Sequence, residues 1–190
     1  MPKIKTTPPE ILRSSWALFH RYGYRDTSLQ QIADAAGLGK AGVLHHFGSK
    51  AGVMRAVIDF ALVWYRQKIL LLTTGDGTVA ERLETFMRSH FDLCRRNGGG
   101  GCFFANMILE TGTEGRFAQQ LRQFHTEWLA ATVGLLSEKF PAREAEERAY
   151  RLFADYQGSV VLFKLYQDPV HLERLLQRSL YSLTSPIGLP

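Results

Sequence analysis

The sequence predicts an all-α chain of about nine helices, with a small N-terminal three-helix unit followed by a larger C-terminal helical bundle. Three observations lead there. Apolar residues recur at helical spacing almost throughout, strand-type alternation is scarce, and turn signals are widely spaced. With 45% hydrophobic and 22% charged residues over 190 positions, a packed core can be built.

The elements follow in order. Pro8 and Pro9 suit a helix start, where a missing N–H costs little. Ile11, Leu12, Trp16 and Phe19 follow at helical spacing, and Gly23 closes the run. Thr27 with Gln30, or Ser28 with Gln31 one residue later, has capping-box spacing for a short second helix carrying Leu29, Ile32, Ala33 and Ala36. Gly37 stops it, and a third short helix spans Lys40 to His46, broken by Phe47 and Gly48. Ser49 caps a long fourth helix from Lys50 to about Leu72. The segment TTGDGT, 73–78, is a loop. Five further helices are expected at Val79 to Asn97, Cys102 to Gly112, Gly115 to Phe140, Ala142 to Asp168 and Val170 to Leu183, with a frayed tail TSPIGLP. The division is 1–50, a linking helix 50–72, and 73–190.

Several function classes are disfavoured. No apolar run approaches the ~20 residues of a membrane span, since Arg66, Gln67 and Lys68 interrupt Phe60 to Leu72. The start MPKIKTTPPE lacks the apolar region of a signal peptide. The expectation is a cytoplasmic protein with no membrane partner. Cys94 and Cys102 form neither a disulfide framework nor a metal knuckle, and His90, His125 and His171 are scattered, so no metal or cofactor is expected. Nucleophile-elbow, phosphate-loop, zinc-protease and dinucleotide motifs are all missing, which argues against an enzyme.

The net charge of +5 is uneven. Eight basic and three acidic residues lie in 1–55, while the other 135 residues carry fifteen of each. A basic module beside a neutral one suggests a polyanion partner for the first.

Two short helices joined by a tight glycine-containing turn are the helix-turn-helix pattern, whose second helix enters the DNA major groove. Ala33, Ala36 and Gly37 supply small residues at the junction; Leu38, Val43 and Phe47 supply the apolar stripe. The alternative is a buried three-helix unit with no DNA role, in which His46 is a core histidine and Lys50 a solvated charge.

The stretch from Gly23 to Met54, GYRDTSLQQIADAAGLGKAGVLHHFGSKAGVM, resembles the TetR family signature through Tyr24, Thr27, Ile32, Ala33, Ala36, Gly37, His46, Phe47 and Lys50. The resemblance implies a dimeric transcriptional regulator, most simply a repressor, that binds double-stranded operator DNA with palindromic half-sites. It also implies roles. Thr27 and Ser28 would meet phosphate at the start of the second helix. Gly39, Lys40, Ala41 and Gly42 would begin the recognition helix, and Lys40, His45 and Gln30 or Gln31 would be the candidates for base contact. His45 and His46 would approach phosphates or bases, and Lys50 would pair with a phosphate. The family usually has Ser or Thr where Gly39 stands and Tyr where Leu44 stands, so a cap and a phosphate-binding hydroxyl are lost.

For the second half, the resemblance implies a homodimer through the last two helices, with Phe153, Val160, Val161, Leu172, Leu176 and Leu180 as interface candidates. It also implies a pocket for an apolar or aromatic small-molecule inducer. Phe103, Phe104, Met107, Trp128, Phe153 and Tyr156 would line it, with Asn106, His125, Gln157 or Glu110 as polar orienters. The plainer reading of each is ordinary core. Cys102 follows four glycines at a helix start, where a thiolate is favoured. That segment resembles a Gly-Cys element in one branch of the family, which implies a sensor of oxidants or electrophiles; the alternative is a small buried hydrophobe. A purely structural helical interaction protein is the third class, distinguished by the lack of salt-sensitive DNA binding.

Overall fold

In the computed structural model, which describes residues 7–112 and 115–185, nine α-helices and one short 3-10 turn account for all regular structure. The helices are α1 (Pro8–Tyr22), α2 (Leu29–Ala35), α3 (Lys40–Phe47), α4 (Lys50–Lys68), α5 (Val79–Gly99), α6 (Phe103–Thr111), α7 (Ala118–Leu136), α8 (Ala142–Tyr166) and α9 (Val170–Ser182). The all-α expectation holds. Pro186 to Pro190 of the expected frayed tail lie outside the described residues, as do Lys3 and Lys5 of the basic stretch. No helix among the described residues is long and apolar enough to cross a membrane.

Local chemistry explains the ends. The Glu10 carboxylate accepts the Thr7 N–H at 2.7 Å and the Thr7 hydroxyl at 2.8 Å, closing a capping box on α1. At α2 the cap is Ser28, not Thr27: Ser28 Oγ accepts the Gln31 N–H at 3.2 Å and Gln31 Oε1 accepts the Ser28 N–H at 2.7 Å. Gly37, at φ +64°, makes the turn before α3. Three boundaries differ materially from expectation, one of them the end of α7 at Leu136 rather than Phe140. α4 ends at Lys68, and Leu70–Thr73 form a 3-10 turn; Thr73 and Thr74 return their hydroxyls to the carbonyls of Leu70 and Leu71, tightening that last stretch. α7 begins at Ala118 rather than Gly115, which sits at φ +66° outside any helix.

α2 packs on α1 and α3, and α1 and α3 pack on α4. The C-terminal end of α4 runs into the bundle of α5 to α9, where α7 lies on α8 and α8 on α9. Tyr65 of α4 is the junction. Its ring meets His90, Phe104 and Phe124 edge-on at 5.2 to 5.6 Å, and Phe104 stacks on Phe124 at 3.9 Å. One contiguous core therefore runs from Ile32 and Val43 to Leu175 and Leu176.

The faces of α8 and α9 require a correction. Val160, Leu172 and Leu176, expected at a dimer contact, are buried within the chain, and Phe153 and Leu180 are half-buried. Of that set only Val161 is open to solvent. The exposed apolar stripe is instead Tyr150, Val161, Leu162, Leu165 and Tyr166 on α8, with Val170 and Tyr181 on α9. Five large apolar side chains on one helix are not what a solvated surface needs.

Candidate nucleic-acid interface

The geometry of α2 and α3 follows from which side chains they must bury. Ile32 and Ala33 of α2 and Val43 of α3 are fully buried, with Leu38 and Phe47 partly so. This turns the opposite face of α3 to solvent. Lys40, Ala41, His45 and His46 are exposed there, together with Gly39, while Gly42 and Leu44 are half-exposed. The His45 and His46 rings lie 5.6 Å apart. His46 is not a core residue. On α2, Ser28 and Gln30 are exposed, and Gln30 Nε2 donates to Asp34 Oδ1 at 2.8 Å, which leaves its amide oxygen and second N–H available. The first N–H groups of each helix have no acceptor within the helix. A polyanion laid along this surface would meet Lys40, both histidines and those helix starts together.

Two expected contact residues are placed differently. Thr27 is fully buried, and its hydroxyl donates to the Gly23 carbonyl at 2.6 Å. It braces the α1–α2 loop and has no surface to offer a phosphate. Lys50, half-exposed, is engaged within the chain: Nζ donates to the Arg25 carbonyl at 3.1 Å and stands 4.6 Å over the Tyr24 ring. Both residues fasten the same loop. Adding a Cβ at Gly42 would meet Leu38 carbons at 3.7 Å, ordinary contact, so packing does not demand glycine there.

A further fastening comes from far away in the sequence. Glu110, near the end of α6, accepts the backbone N–H of Tyr24 at 2.8 Å and that of Arg25 at 2.5 Å. The Arg25 guanidinium returns a bond to the Glu110 carbonyl at 3.3 Å. Gly23 lies at φ +82°, and a Cβ on it would come within 2.8 Å of Glu110 Oε2, so this contact needs glycine. Glu110, expected as a polar group in a pocket, holds this loop and also borders a cavity with Asn106 and Lys164. No local pattern signals a contact across more than eighty residues.

The expected pocket residues do not share one cavity. Phe104, Met107, Trp128 and Tyr156 are buried in the core. Trp128 Nε1–H donates to His90 Nε2 at 3.0 Å, and His90 Nδ1 donates to the Phe86 carbonyl at 2.9 Å. Burial holds the His90 pKa down at about 4. Asn106 donates to the Gly100 carbonyl and accepts from Lys164. His125 packs edge-on against Phe153, which borders an open groove with Gln157 on the α8 face. Phe103 borders a different cavity, between α1, α4 and the start of α6.

Cys102 caps α6 but is buried, and burial raises its pKa in spite of the lowering contributed by the Ala105 and Phe104 backbone N–H groups. The Cys94 thiol, 3.5 Å from the Tyr156 hydroxyl, is pushed up to about 12, also mainly by burial. The expectation of an activated Cys102 thiolate is therefore reversed: the helix start helps, but desolvation wins.

Comparison with known proteins agrees with this architecture. The family described as bacterial regulatory proteins, tetR family, matches residues 11–57, and the tetracyclin repressor-like C-terminal domain matches residues 79–178. An HTH-type transcriptional regulator from the lacX 3' region of Lactococcus lactis is 27% identical over 176 residues, covering 87% of each chain. The HTH-type transcriptional regulatory protein RaaS of Mycobacterium tuberculosis is 28% identical over 187 residues, covering 95% of this chain and 82% of its own. Among solved structures, a TetR transcriptional regulator from Legionella pneumophila superposes with a TM-score of 0.83 at 22% identity, covering 96% of this chain and 99% of that one.

Proposed function

We propose that this chain, which belongs to the TetR family of bacterial regulatory proteins and is therefore a DNA-binding transcriptional regulator, is a repressor released from a palindromic operator by a small molecule. Residues 1–50 read DNA, the helix after Lys50 links, and residues 73–190 sense and dimerise. The exposed side chains of α3 carry base contact, Lys40 and His45 first. Ser28 and the α2 start carry phosphate contact. Two protomers join through the exposed apolar stripe of α8 and α9, which sets the separation of the two recognition helices.

The observation that carries release is the grip of Glu110 on the Tyr24 and Arg25 amides. Through it, a shift of α6 is a shift of the loop that begins α2. An inducer acts by binding more tightly to the conformer in which the two recognition helices are wrongly spaced. The experiment is selection of bound sequences from a random duplex pool at near-physiological salt, followed by operator binding against salt. A recovered palindrome with a steep salt dependence supports the reading. Sequence-blind binding overturns it.

A further inference from the structure

Trp16 of α1 stands at the centre of an aromatic cluster. Its ring meets Phe60 at 6.1 Å, Trp64 at 5.6 Å and Phe103 at 5.9 Å, each edge-on. These four residues border a cavity of about 360 Å³, within the range of about 300 to 1,000 Å³ usual for small-molecule sites. Arg13 of α1 and Arg96 of α5, both exposed, border it too, and among the described residues no carboxylate does. The Trp16 indole N–H is buried with no acceptor among the described residues. Glu10, one turn before Arg13, is engaged in capping α1.

We propose that this cavity binds a planar aromatic anion, an arylcarboxylate in kind, with its ring among Trp16, Phe60, Trp64 and Phe103 and its charge beside Arg13 and Arg96. The perpendicular rings leave edges and faces for a flat apolar body, and the guanidinium groups match a carboxylate. Aromatic walls also attract organic cations, but two guanidinium groups, with no carboxylate among the described residues bordering the cavity, oppose one. The site lies between the DNA-reading unit and the bundle. Across it, His20 Nε2 of α1 donates to the Gly101 carbonyl just before α6 at 2.7 Å. A ligand wedged there moves α1 against α6, the helix that holds the α1–α2 loop through Glu110. As an effector site it rests on the ligand-released repressor reading above.

The test titrates the full-length protein with naphthalene-2-carboxylate, following tryptophan fluorescence and calorimetry, beside naphthalene-2-methanol and a naphthylmethyl trimethylammonium ion. The carboxylate is expected to bind at least tenfold tighter than the alcohol. Arg13→Gln and Arg96→Gln are each expected to weaken it about five- to tenfold, while unfolding at unchanged temperature. Ala17→Leu, at an exposed position bordering the cavity, blocks it without touching either charge. Equal binding of carboxylate and alcohol, tightest binding of the ammonium, no binding of any probe, or indifference to all three variants overturns the site. Operator affinity is measured separately. Variant-sensitive binding that leaves operator affinity unchanged supports the site and removes the release mechanism; release by other compounds, undiminished in the variants, overturns the effector role of this cavity and leaves the repressor reading standing.

Discussion

The Glu110 carboxylate accepts the Arg25 backbone N–H at 2.5 Å while the Arg25 guanidinium donates to the Glu110 carbonyl at 3.3 Å, so the two residues bind each other through main chain and side chain in both directions. Hydrogen bonds to a charged group contribute roughly 1.5 to 3 kcal/mol, and exposure of Arg25 places this pair near the lower end. Glu110→Ala is expected to cost about 1 to 2 kcal/mol in urea unfolding. Amide exchange at Tyr24 and Arg25 is expected to rise at least tenfold, with the α3 amides little changed. Unaltered exchange at those two positions would remove the proposed linkage between α6 and the DNA-reading unit.

The recognition surface separates charge from scaffold. Lys40→Ala is expected to weaken binding to all duplexes several-fold and to lower the slope of log affinity against log salt by about 1. Leu44→Tyr introduces a hydroxyl on a half-exposed position and is expected to tighten binding. Thr27→Val removes the bond to the Gly23 carbonyl and is expected to cost about 1 kcal/mol of stability without changing the salt slope. A lowered slope in Thr27→Val would return Thr27 to the interface.

How far the sequence alone reaches is visible in these same residues. Helix order, the α2–α3 turn and the exposed face of α3 were legible because caps, glycines and apolar spacing are local signals. Thr27 and Ser28 illustrate the limit: both have capping spacing, and only the packing of the Gly23 loop decides which hydroxyl faces inward. The second half was less legible. α8 carries apolar residues on more than one face, so Val160 and Val161, adjacent in sequence, divide between core and solvent. Glu110, Trp16 and Phe60 depend on contacts between distant segments, for which spacing gives no sign.

The α8 stripe makes a prediction about assembly. Leu165 is 68% exposed and Val161 51%, one helical turn apart on the same face. Leu165→Glu and Val161→Arg are each expected to shift the protein to monomer in sedimentation at micromolar concentration and to abolish binding to a palindrome. The fold should be unchanged, since neither side chain is in the core. A dimer that survives both substitutions places the interface elsewhere.

The two thiols are expected to be slow. Only thiolate is nucleophilic, and burial raises both cysteine pKa values. Iodoacetamide at pH 7.5 is expected to label Cys94 and Cys102 at a rate set by opening of the protein, rising with urea. Fast labelling of Cys102 in the native protein would revive an oxidant-sensing role.

His90 gives the pH dependence its sign. Its Nδ1 must donate to the Phe86 carbonyl, so Nε2 is the acceptor for the Trp128 indole N–H. A proton on Nε2 would set donor against donor in a buried site. Burial lowers the folded pKa to about 4, against an ordinary value of 6.5. The unfolded chain takes up the proton first, so the stabilisation is complete above pH 6.5 and is lost as pH falls toward 4. Between pH 7 and 5 this linkage removes about 2 kcal/mol. His20, also lowered by burial, acts in the same direction, while the lowered carboxylates Glu10, Glu81, Glu127 and Glu138 act below this window. In His90→Gln the amide can still donate to Phe86 and accept from Trp128 but does not titrate. Its unfolding free energy is expected to fall much less between pH 7 and 5 than that of the parent, whatever its value at pH 7. Equal losses in the two proteins would assign the acid sensitivity to another group and leave the His90 arrangement as packing alone.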